Sequence, residues 1–277
     1  VYTCLSHDIV AHETSHALLS GLRNSYTLPS SPDQAAFHEG FSDIVALLSV
    51  FTMADVVRAL LAPGGEATVP KVGLEVEALR SGALAALAGQ MGQVLSSGRA
   101  RALRMAAERR PDPTALKTPK FVECHLRGEV LSGAVLRAFI DVWHTRIQSW
   151  VPFVAGDDAP LDRVVEDAQD AAQQLLTIAI RALDYCPVVD IQFGDFLSAM
   201  LTADYELFPG KGKYDYRTLL RNSFAEWGII PSSTSETARA VGHGIAEEGL
   251  WETATRPPRA SDEGGLEVQY DCVHRLS

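Results

Sequence analysis

Asp8-Ile9-Val10-Ala11-His12-Glu13-Thr14-Ser15-His16-Ala17-Leu18-Leu19 carries a His-Glu-x-x-His pattern whose spacing has a mechanical meaning. Residues four apart on an α-helix stand one above the other on the same face. His12 and His16 can therefore offer two imidazole nitrogens to one ion, at roughly 2.0–2.1 Å if that ion is zinc. Glu13 lies about 100° further round the helix. It cannot join them as a ligand there, but it can face a water on the metal as a general base. Ile9, Val10, Ala17, Leu18 and Leu19 form the apolar side expected to bury the helix. The plainer alternative is a chance pair of histidines on a solvated helix. The apolar flanks weigh against it, because buried polar groups without partners are costly.

A catalytic zinc takes three protein ligands and keeps one position open. The stretch from Ala35 to Leu48 reads as a second amphipathic helix, with Glu39 and Asp43 again four apart on one face. Glu39 supplies the third ligand in this reading. Asp43, one turn on, is placed to accept the remaining N–H of a ligand histidine and fix its tautomer. A carboxylate pair is ordinarily a solvated face, but Phe41, Ile44, Val45 and Leu48 make this helix too apolar for that.

His-Glu-x-x-His followed some twenty residues later by Glu-x-x-x-Asp resembles the thermolysin-like, or gluzincin, zinc metallopeptidases. The resemblance spans about residues 7–148 and is carried by the two-helix motif. It implies a mainly α chain with a gluzincin-type helical core, an α-helical C-terminal lobe, and hydrolysis of peptide or amide bonds. Zn2+ would be held by His12, His16 and Glu39, with Glu13 as base and Asp43 behind the ligands. It further implies an oxyanion site made by a tyrosine in the inter-helix connection and a downstream histidine, for which Tyr26 and His125 are the matching positions. Glu123, two residues earlier, would hold the His125 ring. Asp8 occupies a place that binds calcium in some members, but the counterpart segment Leu47–Phe51 is apolar. Ser6 or Asp8 therefore reads as a helix N-cap.

Members of that family place a β-sheet before the first metal helix, and its edge strand pairs with the substrate backbone. The eleven residues ahead of His12 cannot form such a sheet. The N-terminal β-sheet is thus absent from this chain, which reads as a fragment, a processed chain or one piece of a longer polypeptide. An upstream or partner polypeptide would supply the missing sheet.

The 277 residues carry a net charge of −11, with 47% hydrophobic and 21% charged residues. That is ordinary for a soluble globular protein, and the acidic balance argues against nucleic acid. No apolar run is long enough to span a membrane. The compartment stays open. Cys4, Cys124, Cys186 and Cys272 are scattered, which suits small buried residues better than metal ligands and leaves one long-range disulfide open.

Residues 1–110 are expected to hold the metal helices and a helical insertion, with the second helix running from about Gln34 to Leu61. Arg99, Arg101, Arg104, Arg109 and Arg110 read as a solvated basic face. Residues 111–120 form a Pro-rich linker. Residues 121–250 form a helical lobe, with helices near 129–148, 161–184, 193–205, 214–227 and 232–246. Residues 251–277 form a tail in which Glu267 to Val273 alternates as a strand would. His38 and His144 read as structural or exposed. A non-catalytic zinc-stabilised scaffold is the alternative function, favoured if Cys124 or His38 closes the fourth metal position. Hydrolysis or cyclisation of a small amide would use the same site with a differently shaped pocket.

Overall fold

Apolar residues recurring every three to four positions over long stretches, with Pro and Gly kept to the joins, favour helix. The structure is a computed structural model that describes residues 7–28, 30–82, 109–209 and 213–232, and these are mainly helical. In chain order the helices are α1 (His7–Leu22), α2 (Pro32–Phe51), α3 (Ala54–Leu61), α4 (Cys124–Gln148), α5 (Leu161–Ala182), α6 (Phe193–Leu207) and α7 (Tyr216–Ala225). A further helical stretch covers residues 76–82. The expected helix near 232–246 and the strand at Glu267–Val273 lie almost wholly outside the described residues.

The 25 residues of α4 make a rod about 38 Å long, and most of it is buried. It lies against α2, α5 and α7, while α2 also packs on α1 and α5. Phe51 of α2 meets Phe139 of α4 at 4.7 Å between ring centroids, and Phe139 stacks on Trp143. The Trp143 indole donates to the Val164 carbonyl at 3.0 Å, tying α4 to α5. One continuous hydrophobic core runs from Leu19 to Ile229, so residues on both sides of the 111–120 stretch share it. Gly228, at φ 71°, closes that stretch down: a Cβ there would come within 2.3 Å of the Pro113 carbonyl oxygen.

Two local expectations are corrected, and one small sheet is added. The helix expected from Gln34 to Leu61 is two helices bent by 75° at Thr52–Met53. Met53 is extended and its carbonyl starts the new hydrogen-bond ladder of α3. Residues 68–70 and 158–160, unremarkable in sequence, pair as a small antiparallel ribbon of β1 (Thr68–Pro70) and β2 (Asp158–Pro160). The second correction concerns α1. Its buried stripe is Asp8, His12, Ser15, His16 and Leu19, so four of the five buried side chains are polar. Val10 at 46%, Leu18 at 62% and Leu22 at 62% exposure point outward instead. Among the described residues no single helix is long and apolar enough to cross a membrane.

The connection between α1 and α2 is stitched to a segment far along the chain. Arg23 donates to the Leu183 carbonyl at 2.8 Å, Ser25 to that of Val188, and Ser30 to Asp190 at 3.1 Å. Ser31 caps α2, its hydroxyl accepting from the Gln34 N–H. Asp33 then accepts from the Phe193 N–H at 3.0 Å and from Arg127 of α4 at 2.5 Å.

Candidate metal centre

The inward polar stripe of α1 meets the polar stripe of α2. His12 and His16 stand one turn apart on α1, Glu39 and Asp43 one turn apart on α2, and all four are buried. The Nε2 atoms of His12 and His16 are 2.9 Å apart. Oε2 of Glu39 lies 3.6 Å from each of them. Contacts of that length are too long for hydrogen bonds. They suit a shared ion: tetrahedral zinc bonds of 2.0–2.1 Å separate their ligand atoms by about 3.3–3.4 Å, and the observed separations fall on either side of that value. His12, His16 and Glu39 form a buried group that could hold a metal ion.

Behind this group, Asp43 Oδ1 accepts from His12 Nδ1 at 2.9 Å, which leaves Nε2 facing the cluster. Burial disfavours a charged His12 ring, yet the Asp43 hydrogen bond and the charges of Asp43 and Glu39 outweigh it, and His12 is pushed up to about 9 from 6.5. Burial likewise pushes the Glu39 carboxyl up, but the imidazoles of His12, His16 and His125 prevail and hold it well below the usual carboxylate range. A cluster that retains a proton this strongly has negative charge to spare for a cation.

The remaining expected site residues divide. Glu13 is exposed, one residue on from buried His12. His125 stands in the first turn of α4, with its side chain 50% exposed and Nε2 3.7 Å from Oε1 of Glu39. Glu123 does two jobs there. It caps α4 by accepting from the His125 and Leu126 N–H groups, and it binds His125 Nδ1 at 2.6 Å. Tyr26 is not brought to the group. It is 1% exposed, its ring meets Phe37 edge-on, and its hydroxyl donates to the Pro187 carbonyl. The oxyanion role expected for it is therefore withdrawn: the hydroxyl serves the clamp between the α1–α2 connection and residues 183–193.

Two side chains make contacts that the spacing did not give. His38, expected to be structural or exposed, lies edge to edge with His16, their Nδ1 atoms 3.3 Å apart. Arg109, expected on a solvated basic face, pairs instead with buried Glu129 of α4 and lies over Phe121. Neither follows from spacing along one helix, since each depends on how a second helix is laid against it. Cys124 is disulfide-bonded, so the neighbouring trio Glu123, Cys124 and His125 offers no thiolate. Cys186 is a free, buried cysteine. Comparison of the chain with models of known families, with curated proteins and with solved structures finds no match.

Proposed function

We propose that this chain is a zinc-dependent peptide or amide hydrolase with a gluzincin-type helical core. The observation that carries the reading is the convergence of His12, His16 and Glu39 at ligand spacing, with Asp43 behind His12. Among the described residues the group is three donors rather than four, the number typical of a catalytic zinc with an open position. The two side chains that would close it as a structural site are otherwise engaged. The Cys124 sulfur is in a disulfide, and His38 lies against the far edge of His16.

Zinc held by these three residues would polarise a scissile carbonyl and acidify the attacking water. Glu13 takes the proton from that water and delivers it to the leaving nitrogen. His125, its Nδ1 held by Glu123, presents Nε2 toward the oxygen that gains charge. Tyr26 has no part in this scheme.

The test is metal analysis of the purified protein together with a peptide-library digest with and without chelator. Glu13→Gln is expected to keep its zinc and to lose about 10²- to 10⁴-fold in cleavage rate. Cleavage by that variant at the wild-type rate would overturn the base assignment, and the absence of any chelator-sensitive cleavage would overturn the hydrolase reading.

A second reading, a non-catalytic zinc-stabilised scaffold, draws on the apolar outer side of α1 at Val10, Leu18 and Leu22, which is suited to a protein partner. Full zinc content without cleavage favours the scaffold.

A further inference from the structure

His38 immediately precedes the ligand Glu39, yet its ring reaches α1. The His38 and His16 rings lie 5.6 Å apart between centroids, 11° from parallel, and their Nδ1 atoms are 3.3 Å apart. The other nitrogen of His16, Nε2, faces His12 and Glu39. A neutral imidazole carries one proton, so a His16 that offers a bare Nε2 to a cation must carry its hydrogen on Nδ1. That hydrogen points at His38, whose Nδ1 can accept it when the His38 proton sits on Nε2. His12 meets the same requirement with a carboxylate, Asp43, at 2.9 Å.

The two ligands thus have unlike supports, and charge explains the difference. Glu39 and Asp43 together already balance a divalent ion. A third carboxylate behind His16 would leave the buried cluster net negative, and uncompensated buried charge is expensive. A neutral acceptor orients the ring without adding that charge.

We propose that His38 is a positioning residue for His16: its Nδ1 accepts the His16 Nδ1–H and holds the tautomer that turns an unprotonated Nε2 toward His12 and Glu39. The proposal rests on the metal-centre reading above, and its tests separate the two. In zinc-loaded protein with ¹⁵N-labelled histidine, long-range proton–nitrogen spectra are expected to show His16 protonated at Nδ1 and His38 at Nε2. His38→Phe keeps a flat ring against His16 but removes the acceptor. It is expected to weaken zinc binding by about 10- to 100-fold in competition with a chromophoric chelator. His38→Asn carries Oδ1 at the same number of bonds from the backbone as Nδ1, and is expected to restore most of that loss.

Equal zinc affinity in His38→Phe, or a His16 protonated at Nε2, would overturn the proposal and leave the metal centre standing. A loss that His38→Asn fails to restore would be a packing effect and would also overturn it. If the wild-type protein took up no zinc, the metal reading would fall instead. The tautomer of His16 in that metal-free protein would then decide: Nδ1–H supports the contact with His38, and Nε2–H overturns it.

Discussion

His12 is held between a carboxylate behind it and a carboxylate in front, and its raised pKa makes the cluster sensitive to pH. A group whose pKa is higher in the folded chain stabilises the fold fully below its ordinary value, and that contribution is lost as pH rises through the folded value. For His12 the window is 6.5 to about 9. Protein stripped of metal is therefore expected to resist denaturant better at about pH 6 than at about pH 9.5, and urea titrations at the two pH values check this. Zinc runs the other way, because the ion needs the ring that the proton occupies. Its affinity is expected to rise across the same window, as isothermal titration would show. His12, His16, Glu39 and Asp43 were legible as a set because each pair lies four apart on its own helix, where local geometry alone decides which side chains are neighbours. Tyr26 was not, since its burial and its acceptor are set by Pro187, some 160 positions away. The contact between His38 and His16 was not legible for a similar reason: a residue beside Glu39 in sequence projects to another face, and only the approach of α1 brings His16 to it.

At the scale of elements, helical periodicity located α1, α2 and α4 to α7, and the end of α5 near Pro187 follows from the ring that cannot continue a helix. The orientation of α1 escaped that reasoning. Hydrophobic flanks imply an apolar buried side, whereas here the polar side is buried because its histidines find Asp43, His38 and Glu39 on the opposing helix. The separation of α2 and α4 has its own determinant. Gly40 and Gly128 face each other, and a Cβ on Gly128 would come within 2.9 Å of the Gly40 backbone nitrogen and 3.0 Å of the Glu39 Cβ. Replacing an exposed helical glycine by alanine ordinarily gains about 1 kcal/mol. Gly128→Ala is expected to reverse that sign and lose about 1–3 kcal/mol through overpacking. It should also displace the Glu39 carboxylate, so zinc retention on dialysis falls together with the melting temperature.

For the molecule as a whole, part of the stability is built far from the candidate metal site. About 30 Å along α4 from His125, buried Arg146 donates to Asp167 at 3.3 Å and to the Tyr216 hydroxyl at 3.4 Å, and the Trp150 indole donates to Asp167 at 2.6 Å. This network joins α4, α5 and α7. Asp167→Ala would leave a buried guanidinium and an indole N–H short of their shared acceptor. The expected cost is about 3 kcal/mol in denaturant titration, with zinc affinity unchanged, which separates a structural charge network from the metal cluster. Nothing in local spacing joins Arg146 to Asp167 or β1 to β2, because such pairings exist only once distant segments have packed.

The stitching of residues 23–34 to residues 183–193 has a temporal side. All three candidate donor side chains lie between residues 12 and 39, but the segment that clamps the connection between their two helices follows roughly 150 residues later, about 7–30 s at ordinary rates of synthesis. A nascent chain would hold every donor atom well before it held the residues that clamp their two helices, so metal uptake at this group would await most of the described chain.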